Sequence, residues 1–577
     1  MALAEPPEIL PLDQVRPGMQ GYGYTVFAGS QVERFDLEVI GVMPNLLGPR
    51  QSIILVQLKG PKVEHTGVVA GMSGSPVYIQ GKLAGALSLK LGVFTKEPLA
   101  GVTPIEDVLH PSGLAAPALS AAEGSSALEF PLPQPLSPGL AQRAGLAGSA
   151  YLQPIETPLV FSGFQPEVLW LYAPRLENFG MVATQGGSVP AGPDDGKLAP
   201  GEMASMVLVQ GEASIYSACT VTAVEADRVF LCGHQLMSMG DVQWPMARAQ
   251  VLTTLSSDLA STKIVNVAGT IGTIFQDRLT AVVGRLGPAP PMIPLELSLS
   301  GPQGEKKMHF ELVQNSKLTP VLVAVTTLQG LTANALYREG ATLRLAGEMS
   351  IRGHSPVRFE DSFAPLNNLA QDGLQVAASV QSVFSRIFSN PYEMPTIDQV
   401  SLRVESVPER QSAVIEGAWT NNNEVSPGEH LAVRVQVRPY RGAPRMVEVP
   451  IVIPEQVATG ATLRLLVSDS GWLTRTADPF AFALGTAKGP GSLDQLIAEI
   501  NRERSNDRLY VGLLVPAPTL FYEQRELPSA PLSEMAVLEG SGPPGSSQAL
   551  RESLAGEWSL PLNAVVTGAV YVTLKVK

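Results

Sequence analysis

The stretch Gly71-Met72-Ser73-Gly74-Ser75-Pro76 contains the residue types best suited to chemistry. A nucleophilic serine has to lie on a tight turn that exposes its hydroxyl group, with backbone N–H groups beside it to hold a developing oxyanion. Glycine permits the backbone conformations that such a turn requires. Apolar alternating segments flank the turn, so we expect Ser73 between two strands. A turn of serine and glycine is also a common structural connection, and both interpretations stay open at this point.

A serine nucleophile needs a general base, and histidine is the commonest one. Among the six histidines, His234 follows a glycine at the end of a predicted hairpin strand, in TVTAVEADRVFLCGHQL. His65 lies eight positions before Ser73, on the segment leading into the same turn, whereas a base normally comes from an element facing the nucleophile. The others have no nucleophile motif nearby: His110, His309, His354 and His430. His234 is the candidate base; the alternative is an ordinary buried or surface histidine.

Composition limits the class of protein. The chain has 577 residues, too many for one core, and its 45% hydrophobic content lets it bury several. The formal net charge of −13, without a cluster of Lys and Arg, argues against a nucleic-acid partner. Neither HExxH nor CxxC occurs, and no phosphate-binding loop of the GK[ST] type is present. We expect no metal and no cofactor.

Short alternating segments separated by Gly and Pro predict a mostly β protein. Helical spacing is expected only in LTPVLVAVTTLQGLTANAL, GLQVAASVQSVFSRIFSN and SLDQLIAEINRERS. The predicted organisation is a strand-rich module at 1–112, an Ala/Pro/Ser/Gly-rich linker at 113–165, a second strand-rich module at 166–310, a mixed helical connecting region at 311–400 and a β-sandwich at 401–577.

The two cysteines, Cys219 and Cys232, bracket the predicted hairpin TVTAVEADRVFL. With Glu225-Ala226 as a two-residue loop, the two cysteines would lie directly opposite each other across the ladder. They are either small buried residues on one face or a cross-strand disulfide formed in an oxidising compartment. The sequence leaves both alternatives open.

Two segments carry a family resemblance. ERFDLEVIGV followed by TGVVAGMSGSPVYIQGKLAGAL resembles the serine half of the SpoIVB-type serine peptidases, known from spore-forming bacteria, over about residues 19–108. TVTAVEADRVFLCGHQLMSMGD is similar to the histidine half of that family. The resemblance implies a chymotrypsin-like double β-barrel, with Ser73 as nucleophile, His234 as base and the N–H groups of Gly71 and Ser73 as oxyanion hole. Residues beyond about 310 resemble only the C-terminal extensions of secreted relatives, expected here to be Ig-like.

The chain departs from the family pattern in two ways. The serine half precedes the histidine half, which resembles a circular permutation; triads occur in several chain orders. The family also has an aspartate about fifteen positions before the nucleophile, where this chain has Leu58. The candidates for a third catalytic residue are Asp277, Asp241 and Glu64, of which Asp277 is ranked first.

The N-terminal MALAEPPEILPLDQ lacks the basic and apolar regions of a signal peptide. Either the chain is cytosolic, or it is a mature form with a start Met added. The second interpretation agrees with the resemblance, so we expect a secreted, periplasmic or cell-envelope protein. No apolar run reaches the roughly 18 residues of a membrane-spanning helix.

The sequence is compatible with two functions, one as an enzyme and one as an interaction protein. The first is a serine endopeptidase that acts on a protein or peptide substrate through an acyl-enzyme. The second is a weak or inactive relative that serves as an interaction or scaffold protein of the cell envelope. The intact turn at 71–76 and His234 favour the enzyme, whereas Leu58 and the large C-terminal region favour the scaffold.

Overall fold

A computed structural model gives the fold of the chain. The residues that it describes are 8–91, 97–111, 152–177, 181–189, 197–257, 261–333, 340–366, 369–477, 491–516, 519–522, 525–528, 531–541, 547–550 and 552–577. They are mostly β, as the sequence predicts. They form two compact units. The first unit comprises the described residues of Met1–Ala121, Glu129–Leu295 and His309–Gln329, and the second those of Glu296–Met308 and Gly330–Lys577.

The first unit begins with a closed ring of six strands, here called the serine ring. Its strands are β1 (Gln20–Val26), β2 (Val32–Gly48), β3 (Gln51–Lys59), β4 (Pro76–Ile79), β5 (Lys82–Leu91) and β6 (Leu99–Pro104). They pair in the order β4-β1-β2-β3-β6-β5, and pairing of β4 with β5 closes the barrel. Alternate residues point inward, so Leu37, Val39, Val56 and Val102 form its core. A short strand β7 (Leu152–Pro154) pairs with β5.

Ten further strands lie wholly or partly in this unit. They are β8 (Thr157–Ser162), β9 (Met181–Gln185), β10 (Met203–Gly211), β11 (Ser214–Glu225), β12 (Arg228–Leu231), β13 (Gly240–Leu255), β14 (Thr262–Arg278), β15 (Ala281–Leu286), β16 (Ile293–Gly301) and β17 (Gly304–Leu312). Six of them pair in the order β10-β13-β14-β15-β12-β11, and β10 also pairs with β11. This second closed set is here called the histidine ring.

The two rings share apolar contacts within the first unit. Leu83 and Ala86 on β5 belong to the same buried cluster as Phe230 on β12 and Val283 on β15. Val26 on β1 packs with Met203, Val207, Ala247 and Val265 of the histidine ring. Burial of these apolar side chains, which come from both rings, stabilises the packing of the serine ring against the histidine ring.

Eight α-helices are described. They are α1 (Pro61–Thr66), α2 (Ile105–Leu109), α3 (Pro166–Glu177), α4 (Thr319–Thr332), α5 (Leu369–Phe388), α6 (Ser470–Ala477), α7 (Leu493–Ile500) and α8 (Leu532–Ser541). The three segments with helical spacing form α4, α5 and α7, which confirms those predictions. Ser492 caps α7, since its side chain accepts the N–H of Gln495. No described helix has the length and apolar character to cross a membrane.

The second unit is also built mainly from strands. They are β18 (Thr342–Ile351), β19 (Val357–Phe363), β20 (Ile397–Val407), β21 (Ser412–Thr420), β22 (Glu424–Val425), β23 (His430–Pro439), β24 (Arg445–Val452), β25 (Thr462–Ser468), β26 (Arg508–Val515), β27 (Thr519–Tyr522), β28 (Arg525–Pro528), β29 (Ser547–Leu550), β30 (Ser553–Pro561), β31 (Val565–Thr567) and β32 (Ala569–Val576). The sheets β24-β23-β21-β31 and β22-β32-β25-β26-β30 share one apolar core, as expected for a sandwich.

The expected linker at 113–165 ends earlier than predicted. Residues 113–151 lie outside the described part of the chain, but 152–162 contain β7 and β8. Leu159, Val160 and Phe161 on β8 are buried, and β8 pairs with β11 of the histidine ring. The Ala/Pro/Ser/Gly-rich composition of the segment as a whole concealed this short apolar strand.

Candidate active site

The turn that carries Ser73 depends on two glycines with positive φ. Gly71 has φ of 93° and Gly74 has φ of 91°, a region that favours glycine. The N–H of Ser75 donates to the carbonyl group of Met72 at 2.9 Å, and its hydroxyl group donates to the same oxygen at 2.7 Å. Ser73 therefore lies in a tight turn directly before β4.

This turn packs against β11 of the histidine ring. The N–H of Thr220 donates to the carbonyl group of Ser73 at 2.9 Å. The hydroxyl group of Thr222 donates to the carbonyl group of Gly74 at 2.7 Å. A Cβ atom on Gly74 would lie 2.0 Å from the carbonyl oxygen of Thr220, so no larger residue fits. Glycine is therefore needed at position 74 for two reasons: the turn has a positive φ there, and a larger residue would prevent the close approach of the two rings.

The Ser73 side chain is fully buried, and its hydroxyl group lies 3.7 Å from Sγ of Cys219. Sulfur is a weak acceptor, so this contact leaves the hydroxyl group without a strong hydrogen bond. No hydrogen bond joins Ser73 to His234 among the described residues. The pairing of Ser73 as nucleophile with His234 as base therefore stays a prediction.

Cys219 and Cys232 form a disulfide with Cα atoms 5.1 Å apart, which settles the alternative left open by the sequence. The predicted loop at Glu225-Ala226 is wrong by one residue. Glu225 pairs with Arg228, so the loop is Ala226-Asp227. A bulge between Val221 and Ala223 then shifts the register and brings the cysteines within bonding distance. Ser73 therefore faces a disulfide that ends two residues before His234.

The loop carrying His234 meets the turn at Leu87 of β5. The N–H of Gly74 donates to the Leu87 carbonyl oxygen at 2.7 Å. A Cβ atom on Gly233 would lie 3.3 Å from that same oxygen and 2.7 Å from the Ala86 side chain. The Gly-His pattern noted in the sequence therefore has a steric reason, since glycine lets this loop approach β5.

The His234 ring is oriented by a backbone group. Its Nδ1 lies 2.6 Å from the carbonyl oxygen of Gln235, so Nδ1 carries the proton and donates it. Nε2 is buried and, among the described residues, has no hydrogen-bond partner. Burial lowers the pKa of His234 below its ordinary value, opposed by the carbonyl groups of Gln235 and Ile155 and the charge of Glu156. A neutral ring with an unprotonated Nε2 is the form that a general base requires.

Asp277 has partners other than the histidine. Its carboxylate accepts the N–H groups of Leu236 at 2.7 Å, Met237 at 2.9 Å and Met239 at 3.0 Å. Burial raises the pKa of Asp277, and these backbone amides oppose the change. Asp277 therefore holds the loop that follows His234, and the described contacts include no bond between the two side chains.

The two other acids proposed from the sequence are also engaged elsewhere. Asp241 pairs with Arg278 at 2.8 Å and is largely exposed. Glu64 accepts the N–H of Gly60 at 3.0 Å at the start of α1. Leu58, at the position where the family has an aspartate, is buried in the core of the serine ring. No described group of three His, Cys, Asp or Glu side chains is arranged to hold a metal ion.

The two backbone amides expected to form the oxyanion hole, those of Gly71 and Ser73, differ in their hydrogen bonding. The N–H of Gly71 donates to the carbonyl oxygen of Glu156 at 3.1 Å. No described backbone carbonyl group accepts the N–H of Ser73. The Gly71 amide is therefore already engaged, whereas the Ser73 amide has no described backbone acceptor.

Lys263 on β14 is a buried cation that the sequence did not point to. It is fully buried, and its Nζ donates to Thr25 Oγ1 at 2.7 Å and to the carbonyl oxygen of Gly71 at 3.2 Å. Burial lowers the pKa of Lys263 to about 7. Thr220 also donates to the Gly71 carbonyl oxygen, at 2.9 Å. Two donors therefore fix the peptide group that begins the nucleophile turn.

Glu156 and Lys90 form a second polar feature that sequence reasoning missed. Their side chains are 2.6 Å apart and mostly buried, with 22% of Glu156 and 8% of Lys90 exposed. Glu156 connects β7 to β8 and follows Ile155, whose carbonyl group lies beside the His234 ring. No sequence signal identified Glu156, because it fell within the expected linker.

In this β-rich chain a glycine-flanked serine turn adjoins a Gly-His loop, and these are the two residues expected from the sequence as nucleophile and base. Residues 3–108 match the family described as SpoIVB peptidase S55, which confirms the resemblance of the segment containing Ser73 to that serine peptidase family. The segment containing His234 lies outside the matched residues. No curated protein and no solved structure shows a significant match to the chain.

Proposed function

We propose that the chain is a secreted serine endopeptidase in which Ser73 is the nucleophile and His234 the general base. His234 takes the Ser73 proton, the oxygen attacks a peptide carbonyl group, and the protonated ring then gives its proton to the leaving amine. Water hydrolyses the acyl-enzyme with the same base. The amides of Gly71 and Ser73 hold the oxyanion, and Asp277 acts indirectly by fixing the loop after His234.

One observation carries this proposal: the state of the His234 ring. Because Nδ1 donates to the Gln235 carbonyl group, the lone pair of the neutral ring is on Nε2, which has no partner among the described residues. A backbone carbonyl group thus fixes the tautomer, a task that the family gives to an aspartate. The missing aspartate at Leu58 therefore does not by itself exclude a working base.

The two closed rings support a finer proposal about the fold. We infer a chymotrypsin-like pair of barrels in permuted order, with the serine half first, followed by an Ig-like sandwich. Both rings have six strands, and the Ser73 turn is bonded to β11 of the histidine ring. The Cys219–Cys232 disulfide supports a secreted or cell-envelope location, since such bonds persist in oxidising compartments.

The experiment is covalent labelling of the full chain with a fluorophosphonate probe. Wild type is expected to label, and Ser73→Ala to lose all labelling. The matched control is Ser217→Ala, since Ser217 is another buried serine, on β11, whose hydroxyl group has no partner among the described residues. It should label like wild type. Labelling that survives in Ser73→Ala would refute the assignment of the nucleophile.

A second candidate function is an inactive envelope scaffold, and one observation favours it. Ser73 is fully buried, and the Gly71 amide is already bonded to the Glu156 carbonyl group. A protein substrate reaches Ser73 only if the surrounding loops move. An unlabelled wild-type chain that is folded, together with no cleavage of unfolded protein substrates, supports the scaffold and excludes the peptidase.

A further inference from the structure

Lys263 is a fully buried lysine whose contacts in the described part of the chain include no carboxylate. Its Nζ lies 2.7 Å from Thr25 Oγ1, 3.2 Å from the carbonyl oxygen of Gly71 and 3.6 Å from Sδ of Met203. Burying an ammonium group without an opposite charge costs stability, and burial accordingly lowers the pKa of Lys263. A residue that costs stability and lies beside a candidate site is typical of a functional role.

The turn at 69–72, which leads into Ser73, is closed by one backbone bond. The N–H of Met72 donates to the carbonyl group of Val69 at 2.9 Å. Gly71 is the third residue of this turn, and its φ of 93° is typical of that position in a type II turn. Because glycine has no Cβ atom to restrict the peptide groups on either side of it, contacts from outside the turn have to fix their orientation.

Lys263 supplies such contacts on both sides of Gly71. Its backbone N–H donates to the carbonyl group of Ala70 at 3.2 Å, and its Nζ donates to the carbonyl group of Gly71, also at 3.2 Å. A peptide group is planar, so the bond to the Ala70 oxygen also orients the N–H of Gly71, which belongs to the same group. That N–H points out of the turn, since its acceptor is the carbonyl group of Glu156.

We propose that Lys263 is a positioning residue of the peptidase site: its two donors fix the peptide groups around Gly71 and so direct the amide expected in the oxyanion hole. The inference rests on the proposed peptidase function. Lys263 acts through Gly71 and not on the reacting atoms. Thr220 assists it, since its hydroxyl group donates to the same Gly71 oxygen at 2.9 Å. The geometry of the turn before β4 therefore depends on side chains from β11 and β14 of the histidine ring.

The test compares the kinetics of fluorophosphonate labelling of the full chain in wild type and Lys263→Met at pH 7. Methionine keeps the backbone N–H and an unbranched side chain but removes the bond to the Gly71 oxygen. Labelling at saturating probe should slow about tenfold, less than the roughly 10²–10³-fold cost of losing a whole oxyanion-hole donor. The probe concentration that gives half the maximal rate should change by less than about twofold, because probe binding does not depend on this amide.

The stability of the variant separates a positioning role from a structural one. Because Lys263→Met removes a buried charge, the variant should be no less stable than wild type in urea unfolding at pH 7, so unfolding does not explain the slower labelling. A merely structural role would lower the stability and leave the labelling rate of the folded chain unchanged. The matched control is Lys59→Met, the same substitution on β3, which breaks the Lys59–Glu38 ion pair and should label like wild type.

A second variant covers the case in which Lys263→Met does not fold. Thr220→Val removes the hydroxyl bond to the Gly71 oxygen but keeps the backbone bond to Ser73, and it should also slow labelling at saturating probe. A folded Lys263→Met, or Thr220→Val in its place, that labels at the wild-type saturating rate overturns the inference. Wild type that carries no adduct on Ser73 instead overturns the peptidase proposal, so the two failures are distinguishable.

Discussion

Lys263→Met should stabilise the first unit at neutral pH and lose that advantage as the pH rises. Burial lowers the pKa of Lys263 from 10.5 to about 7 in the native chain. Between those values the unfolded chain holds a proton that the native chain does not, so stability rises with pH across this window. Below pH 7, Lys263 is protonated in both the native and the unfolded chain. The native chain then carries the full free-energy cost of burying this charge.

The magnitude follows from the size of the shift. A difference of about 3.5 pH units, from 10.5 minus 7, corresponds to roughly 5 kcal/mol at about 1.4 kcal/mol per unit. Methionine loses the hydrogen bonds to Thr25 and to the Gly71 carbonyl group, which together contribute about 2 kcal/mol. The variant should therefore be more stable than wild type by about 3 kcal/mol at pH 6, and equal to it near pH 9.

The assay is urea unfolding of wild type and variant between pH 6 and 9.5, comparing the difference in the free energy of unfolding at each pH. The second unit, unchanged by the substitution, serves as an internal reference. Lys59→Met, at a half-exposed lysine on β3, is the control and should change stability by less than about 1 kcal/mol. A difference that does not vary with pH, or a less stable variant at pH 6, would refute the reasoning.

Three further predictions follow from the site. Replacing Cys219 and Cys232 by alanine opens a loop with a sequence separation of 13, and should destabilise the first unit by about 3 kcal/mol in urea unfolding; an unchanged midpoint would contradict this. Gly74→Ala combines positive φ with a clash against Thr220, so it should lower stability by more than about 3 kcal/mol and abolish probe labelling, whereas Ser217→Ala should do neither. Asp277→Asn leaves one oxygen to accept the amides of the loop at 236–239, so hydrogen exchange there should quicken while exchange in β14 stays slow; equal exchange in both chains would exclude this positioning role.

Local patterns were enough to predict most of the strands, β8 excepted, and the turns at Ser73 and before His234. Alternation identifies strands because successive side chains point to opposite faces, and the glycines around Ser73 and before His234 mark turns for steric reasons. The positive φ of Gly71 and Gly74 and the close approach at Gly233 agree with that interpretation. These are properties that a few neighbouring residues determine.

The missed residues depend on contacts between distant segments. Lys263 stands in STKIVNVAG as one lysine in an ordinary strand, and its burial arises only because β14 packs beside the Ser73 turn. Glu156 lies within the segment expected to be a linker, and it is noticed only through the contact of its side chain with Lys90 and of its carbonyl group with the Gly71 amide. The loop of the cysteine hairpin was misplaced by one residue, and the bulge at 221–223, which offsets part of that shift, has no sequence marker.

The most direct test of the central claim is to locate the adduct formed by a fluorophosphonate on the wild-type chain. The protein is labelled under non-reducing conditions and digested, and the modified peptide is sequenced by mass spectrometry. The account predicts a single modified residue, Ser73, formed more slowly in His234→Gln and at low pH, where His234 is protonated and no longer acts as a base. A folded chain that carries no adduct, or that carries it on another serine, would contradict the claim.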